Sequence, residues 1–184
     1  MDFDAFRKAL TSPALRAIAD HWDEARGSAP MPSWEQLRPS RIAPHLSILW
    51  AYKYDALEDK FVGRLAGSGV LWRLKKNFRG AGLPDLWASD TISRVHQKML
   101  RVIRGPEGYR KAGNLFKHGD HVIAGERMGL PLASDGVHGD GILGASAFQH
   151  PYPLLDLGDV EMLDGDEVWF SVTCRANAAV TPAS

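Results

Sequence analysis

The chain has 184 residues, 45% of them hydrophobic, with 22 basic and 22 acidic side chains and therefore no formal net charge. This balance argues against nucleic acid or an anionic membrane as a partner, while the hydrophobic content is sufficient for a folded core. The single cysteine, Cys174, excludes an internal disulfide and a cysteine-rich zinc site.

The cellular location of the protein is predicted from two features that the sequence lacks. No run of about 18 apolar residues is present, so no segment is predicted to span a membrane. The first residues, Met1 to Asp4, are acidic and lack the basic and apolar regions of a signal peptide. We therefore expect a cytoplasmic protein.

Residues 1–29 are predicted to form a helical extension. Apolar residues recur every three or four positions from Phe3 to Ala25, which indicates an amphipathic stripe. Ser12 and Pro13 predict a break followed by a new helix, and Gly27 predicts its end. The stripe must bury its apolar face, so it either docks on the rest of the chain or pairs with a second copy. We predict that the protein forms a homodimer through this helix.

Four prolines between Pro30 and Pro44 then predict a turn-rich path instead of a long element. Two runs that are rich in aromatic and aliphatic residues follow, Ser47 to Tyr54 and Lys60 to Ala66. A short polar connection separates them, which is typical of a β-hairpin.

The remaining elements are predicted from periodicity and turn chemistry. A short helix is expected over Val70 to Lys76. A long helix is expected over Asp90 to Arg104, with an apolar stripe that includes Val95 and Met99. Three strands are predicted over 109–117, 122–132 and 141–149. Residues 168–173 alternate like a further strand, after a hairpin turn at 164–166.

Two strands, a helical segment and three more strands predict an α+β fold. The expected architecture is a five-stranded antiparallel sheet with helices on one face and the N-terminal helical extension. The domain is predicted to cover residues 30–174, and residues 175–184 are predicted to be a disordered tail.

This order of elements and one proline-rich segment resemble the PAS fold. The segment carries Pro32-Ser33-Trp34, then Arg38-Pro39-Ser40 and Ile42-Ala43-Pro44-His45. It is similar to the signature of short, stand-alone bacterial PAS proteins. The resemblance implies a sensory or regulatory domain in signal transduction and implies no reaction, so no catalytic residue is predicted.

A curved sheet covered by short helices leaves a concavity that can receive a small molecule. No cofactor or ligand identity is predicted. The residues expected to line this pocket are large, apolar or able to anchor a polar group: Trp50, Tyr52, Phe61, Leu65, Trp72, Glu126, Arg127, Met128 and Phe148. Small residues on the last predicted strand, such as Gly144, are expected to leave room. Alternation does not fix which of two neighbouring residues faces inward.

Two alternatives to a ligand receiver stay open. The first is a filled core, in which the aromatic residues simply pack against each other. The second is a small metal-dependent enzyme that uses His118, His121 and Glu126. The spacing of the two histidines argues against the metal site, because in an extended strand it would place them on opposite faces.

Overall fold

A computed structural model describes residues 2–71, 77–149, 160–163 and 165–172. The α-helices are α1 (Phe3–Ala9), α2 (Pro13–Arg26), α3 (Ser68–Leu71), α4 (Leu83–Leu86) and α5 (Ser89–Arg104), and two 3-10 segments span Trp34–Gln36 and Pro39–Ile48. The strands are β1 (Leu49–Asp55), β2 (Lys60–Ala66), β3 (Glu107–His118), β4 (His121–Leu132), β5 (Gly141–Phe148), β6 (Val160–Met162) and β7 (Glu167–Ser171).

All the strands join one antiparallel sheet in the order β2-β1-β5-β4-β3-β6, and β7 also pairs with β3. The helical segment α3 to α5 connects β2 to β3, which lie at opposite sides of the five-strand core. The predicted α+β fold is therefore confirmed, with its two strands before the helical crossover and three after it.

The sheet has two strands beyond the predicted five; β7 corresponds to the further strand predicted over 168–173, whereas β6 was not predicted. Strands β6 and β7 both lie antiparallel along the outer edge of β3, β6 beside Phe116–His118 and β7 beside Glu107–Lys111. Among the described residues no pairing joins β6 to β7, and Asp164 of the hairpin turn predicted at 164–166 lies outside them. Strand β6 has only three residues, which is too short for an alternating pattern.

Local sequence signals set the ends of the two N-terminal helices. The Asp2 carboxylate accepts a hydrogen bond from the Ala5 amide at 3.0 Å, and Ser12 caps α2 with Pro13 at its first helical position. Gly27 ends α2 with a φ of 57°, a conformation that glycine adopts without strain. The predicted break and the predicted end of the second helix are both confirmed.

Helices α1 and α2 pack on one face of the sheet, which we call the outer face. Phe6, Leu15 and Trp22 are fully buried there, and the Trp22 indole N–H donates to the Pro131 carbonyl at 2.8 Å. The sheet contributes mainly aliphatic residues to this cluster: Leu49, Met128, Leu130, Leu132, Leu143, Ala145 and Phe170. The N-terminal stripe thus docks within its own chain.

Helices α4 and α5 cover the opposite face, which we call the cup face. Val95, Met99 and Val102 of α5 are buried against it, as the apolar stripe predicts. Both faces of the sheet are consequently buried. Among the residues described here, no helix is both long and apolar enough to cross a membrane.

Candidate functional site

A small cavity lies between the cup face and helix α5. It encloses about 30 Å³, which is room for about two water molecules. Its walls combine apolar side chains with tyrosines, tryptophans and basic groups: Trp50, Tyr52, Trp87, Val95, Lys98, Met99, Tyr109, Lys111, Leu115, Phe116, Arg127 and Met162. We call this space the cup cavity.

The floor of the cup cavity is built from aromatic rings that lie over glycines. Trp50 pairs with Gly144 across β1 and β5, and its ring occupies the place where a Cβ of residue 144 would stand. Tyr109 lies over Gly129 in the same way. The room that the small residues of β5 were expected to leave is therefore taken by Trp50. Its indole N–H donates to Ser146 Oγ at 3.0 Å.

Arg127 is the basic side chain that β4 directs into the cup cavity. Its guanidinium carbon lies 4.4 Å from the centre of the Trp50 ring and 5.6 Å from that of Phe116, so the cation is held between two aromatic faces. Its Nε is buried and has no hydrogen-bond partner. Within the described part of the chain, no carboxylate forms an ion pair with Arg127.

Three further polar groups face the cup cavity from around Arg127. Burial raises the pKa of Tyr52 to about 12, against the opposing effects of Arg127 and of Trp87. Burial also raises the pKa of Tyr109. Both hydroxyls therefore stay protonated at neutral pH and can donate. The indole N–H of Trp87 is buried beside the Tyr52 hydroxyl, whose pKa it lowers as a hydrogen-bond donor.

Two lysines at the margin of the cup cavity are held in place by other groups. Lys98 forms an ion pair with Glu167 of β7, which also accepts from the Trp169 indole N–H at 2.8 Å. Lys111 is buried and donates to the Leu163 carbonyl. These contacts tie α5 and β3 to the last strands of the sheet.

The structure brings only some of the sequence-predicted pocket residues together. Trp50, Tyr52 and Arg127 line the cup cavity. Phe61 and Phe148 belong to the same hydrophobic cluster without lining the cavity. Leu65 is 38% exposed, and Trp72 lies outside the described residues.

Glu126 and Met128 do not face the cup cavity, because they precede and follow Arg127 on the same strand. Met128 is buried among the outer-face residues. Glu126 is 5% exposed, and its carboxylate accepts from the Thr11 amide at 2.9 Å, from the Ser12 amide at 2.6 Å and from Arg110 Nε at 2.6 Å. It fastens the start of α2 to the sheet.

The ionisation of Glu126 follows from these partners. Burial alone would raise the pKa of Glu126. The Thr11 and Ser12 amides and the Arg110 guanidinium outweigh burial, so its pKa lies below the usual glutamate value. Glu126 is therefore a charged anchor at neutral pH.

Sequence reasoning missed several cavity residues, including Trp87, Lys98, Tyr109 and Lys111. A signal for Lys98 was present, since it lies three positions after Val95 and directly before Met99 and so shares their helix face. Tyr109 and Lys111 alternate on β3, but only the position of the neighbouring strands shows that this phase faces inward.

The residues of the metal alternative do not form one site. His118 and His121 are direct partners across the β3–β4 turn and so share a face of the sheet, contrary to the expectation for a continuous strand. Glu126 lies farther along β4 and binds the start of α2. No group of three or more histidine, cysteine or acidic side chains suited to a metal ion occurs among the residues with described positions.

Comparison with known proteins gives one match. The model of a PAS domain family matches residues 10–147, about three quarters of the chain, from the first residue of the α1–α2 connection to the last residue but one of β5. No curated protein and no solved structure matches the chain.

Proposed function

The chain belongs to the PAS domain family, and from this premise we propose that it is a sensory domain whose cup cavity receives a small molecule. PAS domains are typically non-enzymatic sensory and regulatory modules. The observation that supports a ligand at this place is a small cavity with a buried donor, Arg127 Nε, that has no hydrogen-bond partner among the described residues. Buried donors without partners are rare in proteins unless a water or a ligand satisfies them.

The filled-core alternative differs from this proposal in one measurable respect. A filled core is not stabilised by added compounds, whereas a receiver is stabilised by mass action when a ligand binds the folded state.

The Val95→Ile variant adds one methylene to the wall of the cup cavity. Val122→Ile makes the same change at a partly exposed position on β4 that does not line the cavity.

The experiment is a thermal-shift screen of metabolites at millimolar concentration on the wild type and the two variants, with native mass spectrometry of each positive. A receiver gives at least one compound that raises Tm in the wild type and in Val122→Ile, with a smaller rise in Val95→Ile. The proposal fails if no compound raises Tm, or if every shift is the same in both variants.

We further propose that the signal leaves the domain through protein contacts at the N-terminal helices. Arg127 faces the cup cavity, and the preceding residue, Glu126, holds the start of α2 on the outer face. Ligand binding should therefore change amide hydrogen exchange at Thr11 and Ser12. Unchanged exchange there at saturating ligand would contradict this route.

The homodimer, the cytoplasmic location and membership of a bacterial stand-alone group stay predictions. Because α1 and α2 bury their apolar stripe within the chain, a dimer through these helices would need their exposed sides or their release from the outer face. Light scattering on the full chain, with and without ligand, tests both arrangements.

A further inference from the structure

His21 of α2 is buried beneath the proline-rich segment that follows the helix. It is 6% exposed, and its Nε2 lies 2.9 Å from the backbone nitrogen of Arg38. Since an amide N–H can only donate, Nε2 is the acceptor and carries no proton. The ring is therefore neutral, with its proton on Nδ1, a tautomer that follows from the hydrogen bond.

The Arg38 amide depends on this acceptor because of the local sequence. Arg38 stands between the 3-10 segments Trp34–Gln36 and Pro39–Ile48, and its backbone is extended, with a φ of −111° and a ψ of 101°. A residue before a proline is kept out of the helical region, so its N–H is not placed for a helical hydrogen bond. His21 supplies the acceptor from the neighbouring helix instead.

Charged side chains surround the ring from both elements. Glu24 of α2 places a carboxylate oxygen 3.8 Å from His21 Nδ1, but Glu24 also forms an ion pair with Arg41 at 2.6 Å. Glu35 and Arg38 line the same groove from the proline-rich segment. Acidic and basic groups are thus equal in number around the ring. Burial is the main cause that lowers the pKa of His21, with Glu24 opposing it and the two arginines adding to it.

A second proton on His21 would have to stand on Nε2, directly opposite the Arg38 amide proton. Two donors would then face each other, the hydrogen bond would be lost, and a charge would be buried. The ring can take up this proton only if Arg38 moves away from it. The chain on either side is held separately, since the Pro32 carbonyl accepts from the Ala133 amide at 3.0 Å and Ile42 is buried. We therefore expect a local movement.

We propose that protonation of His21 releases residues 34–41 from α2, so that mild acid changes the surface beside the N-terminal helices. The release does not depend on a ligand in the cup cavity and so goes beyond the proposed function. It would also uncover Trp34, whose partly buried ring packs against the outer-face cluster and lies 4.3 Å from the guanidinium carbon of Arg64. The acid form would thus offer apolar surface that the neutral form covers.

The test is amide hydrogen exchange, followed by NMR at about pH 7.5 and about pH 5 and corrected for the intrinsic exchange rate, on the wild type, His21→Gln and His121→Gln. The glutamine side-chain oxygen can accept from the Arg38 amide but does not titrate, and His121 is an exposed histidine at the start of β4. On acidification, protection of the Arg38 amide should fall by at least about tenfold in the wild type and in His121→Gln. In His21→Gln it should change by less than about twofold.

The Ala145 amide, in the central strand β5, is the internal reference, because a local release leaves the sheet protected. Equal losses at Arg38 and Ala145 in the wild type would indicate general acid destabilisation and would overturn the inference. Unchanged protection of Arg38 in the wild type would overturn it too, as would an equal loss in His21→Gln.

If His21→Gln does not fold, the ring nitrogens of His21 in the wild type give a second measurement by NMR. Nε2 must be unprotonated at about pH 7.5, and the Arg38 amide resonance must shift with the same midpoint as the ring. A proton on Nε2 at neutral pH, or two different midpoints, would refute the release.

Discussion

Replacing Glu126 by glutamine should loosen the N-terminal helices from the sheet. The carboxylate accepts hydrogen bonds from the Thr11 and Ser12 amides, from the Thr11 hydroxyl and from Arg110. Glutamine keeps the shape but has one acceptor oxygen, and its amide group would face donors. The substitution also leaves the Arg110 guanidinium, whose side chain is 15% exposed, without its anion.

The size of the effect follows from these contacts. Hydrogen bonds to a charged group contribute about 1.5–3 kcal/mol, and breaking a buried ion pair costs about 3–5 kcal/mol. Since glutamine retains part of the network, we expect a loss of about 3 kcal/mol in the free energy of unfolding. In a chain of this length that loss corresponds to a fall in Tm of about 6–12 °C.

The assay is thermal and urea unfolding followed by circular dichroism, together with limited proteolysis near the α1–α2 connection. Glu58→Gln is the control, because Glu58 forms an exposed ion pair with Lys60 and its loss should lower Tm by less than about 2 °C. The Glu126 variant should also be cleaved faster between the two helices. Equal Tm values for the two variants would refute the role given to this carboxylate.

Three other predictions follow from the same packing. Trp22→Phe removes the donor to the Pro131 carbonyl and should lower the free energy of unfolding, measured with urea, by about 2 kcal/mol. A loss below about 0.5 kcal/mol would contradict the importance of that hydrogen bond. Gly144→Ala forces the Trp50 ring away from β5, so the free energy of unfolding should fall by about 2 kcal/mol and tryptophan emission should shift to the red. An unchanged emission spectrum would argue against the close ring contact. Because the pKa of Glu126 is lower in the folded state, its carboxylate stabilises the fold at pH values above the ordinary pKa of 4.5. This stabilisation is lost as the pH falls through the folded-state pKa. The wild type should therefore lose more stability than Glu126→Gln between about pH 6 and about pH 3, and parallel urea curves would contradict this.

Local signals in the sequence were sufficient for most of the elements. Strand β2 spans Lys60–Ala66 as predicted, and α5 begins only one residue before the predicted Asp90. These segments combine strong periodicity with clear end signals, such as Ser12 before α2 and Gly105 after α5. Strand β6 had no such pattern because it is stabilised by pairing with the edge of β3.

The candidate site was predicted only in part, for a physical reason that lies in β4. A sheet with one wet face shows alternating polar and apolar residues, and that alternation identifies the inner side. Here both faces are buried, so Leu130, Pro131 and Leu132 are apolar in succession. The sequence consequently left Glu126, Arg127 and Met128 as equal candidates, although only Arg127 faces the cup cavity.

The docking of α1 and α2 has a practical consequence for anyone who shortens this chain. An expression fragment that begins at residue 30 would uncover Met128, Leu130, Leu143 and Phe170, all now sealed beneath the missing helices. This exposed hydrophobic surface would favour association between copies of the fragment. An oligomer of that fragment would then result from the truncation. A fragment that stayed monomeric and fully stable would show that α1 and α2 are not needed to cover this surface.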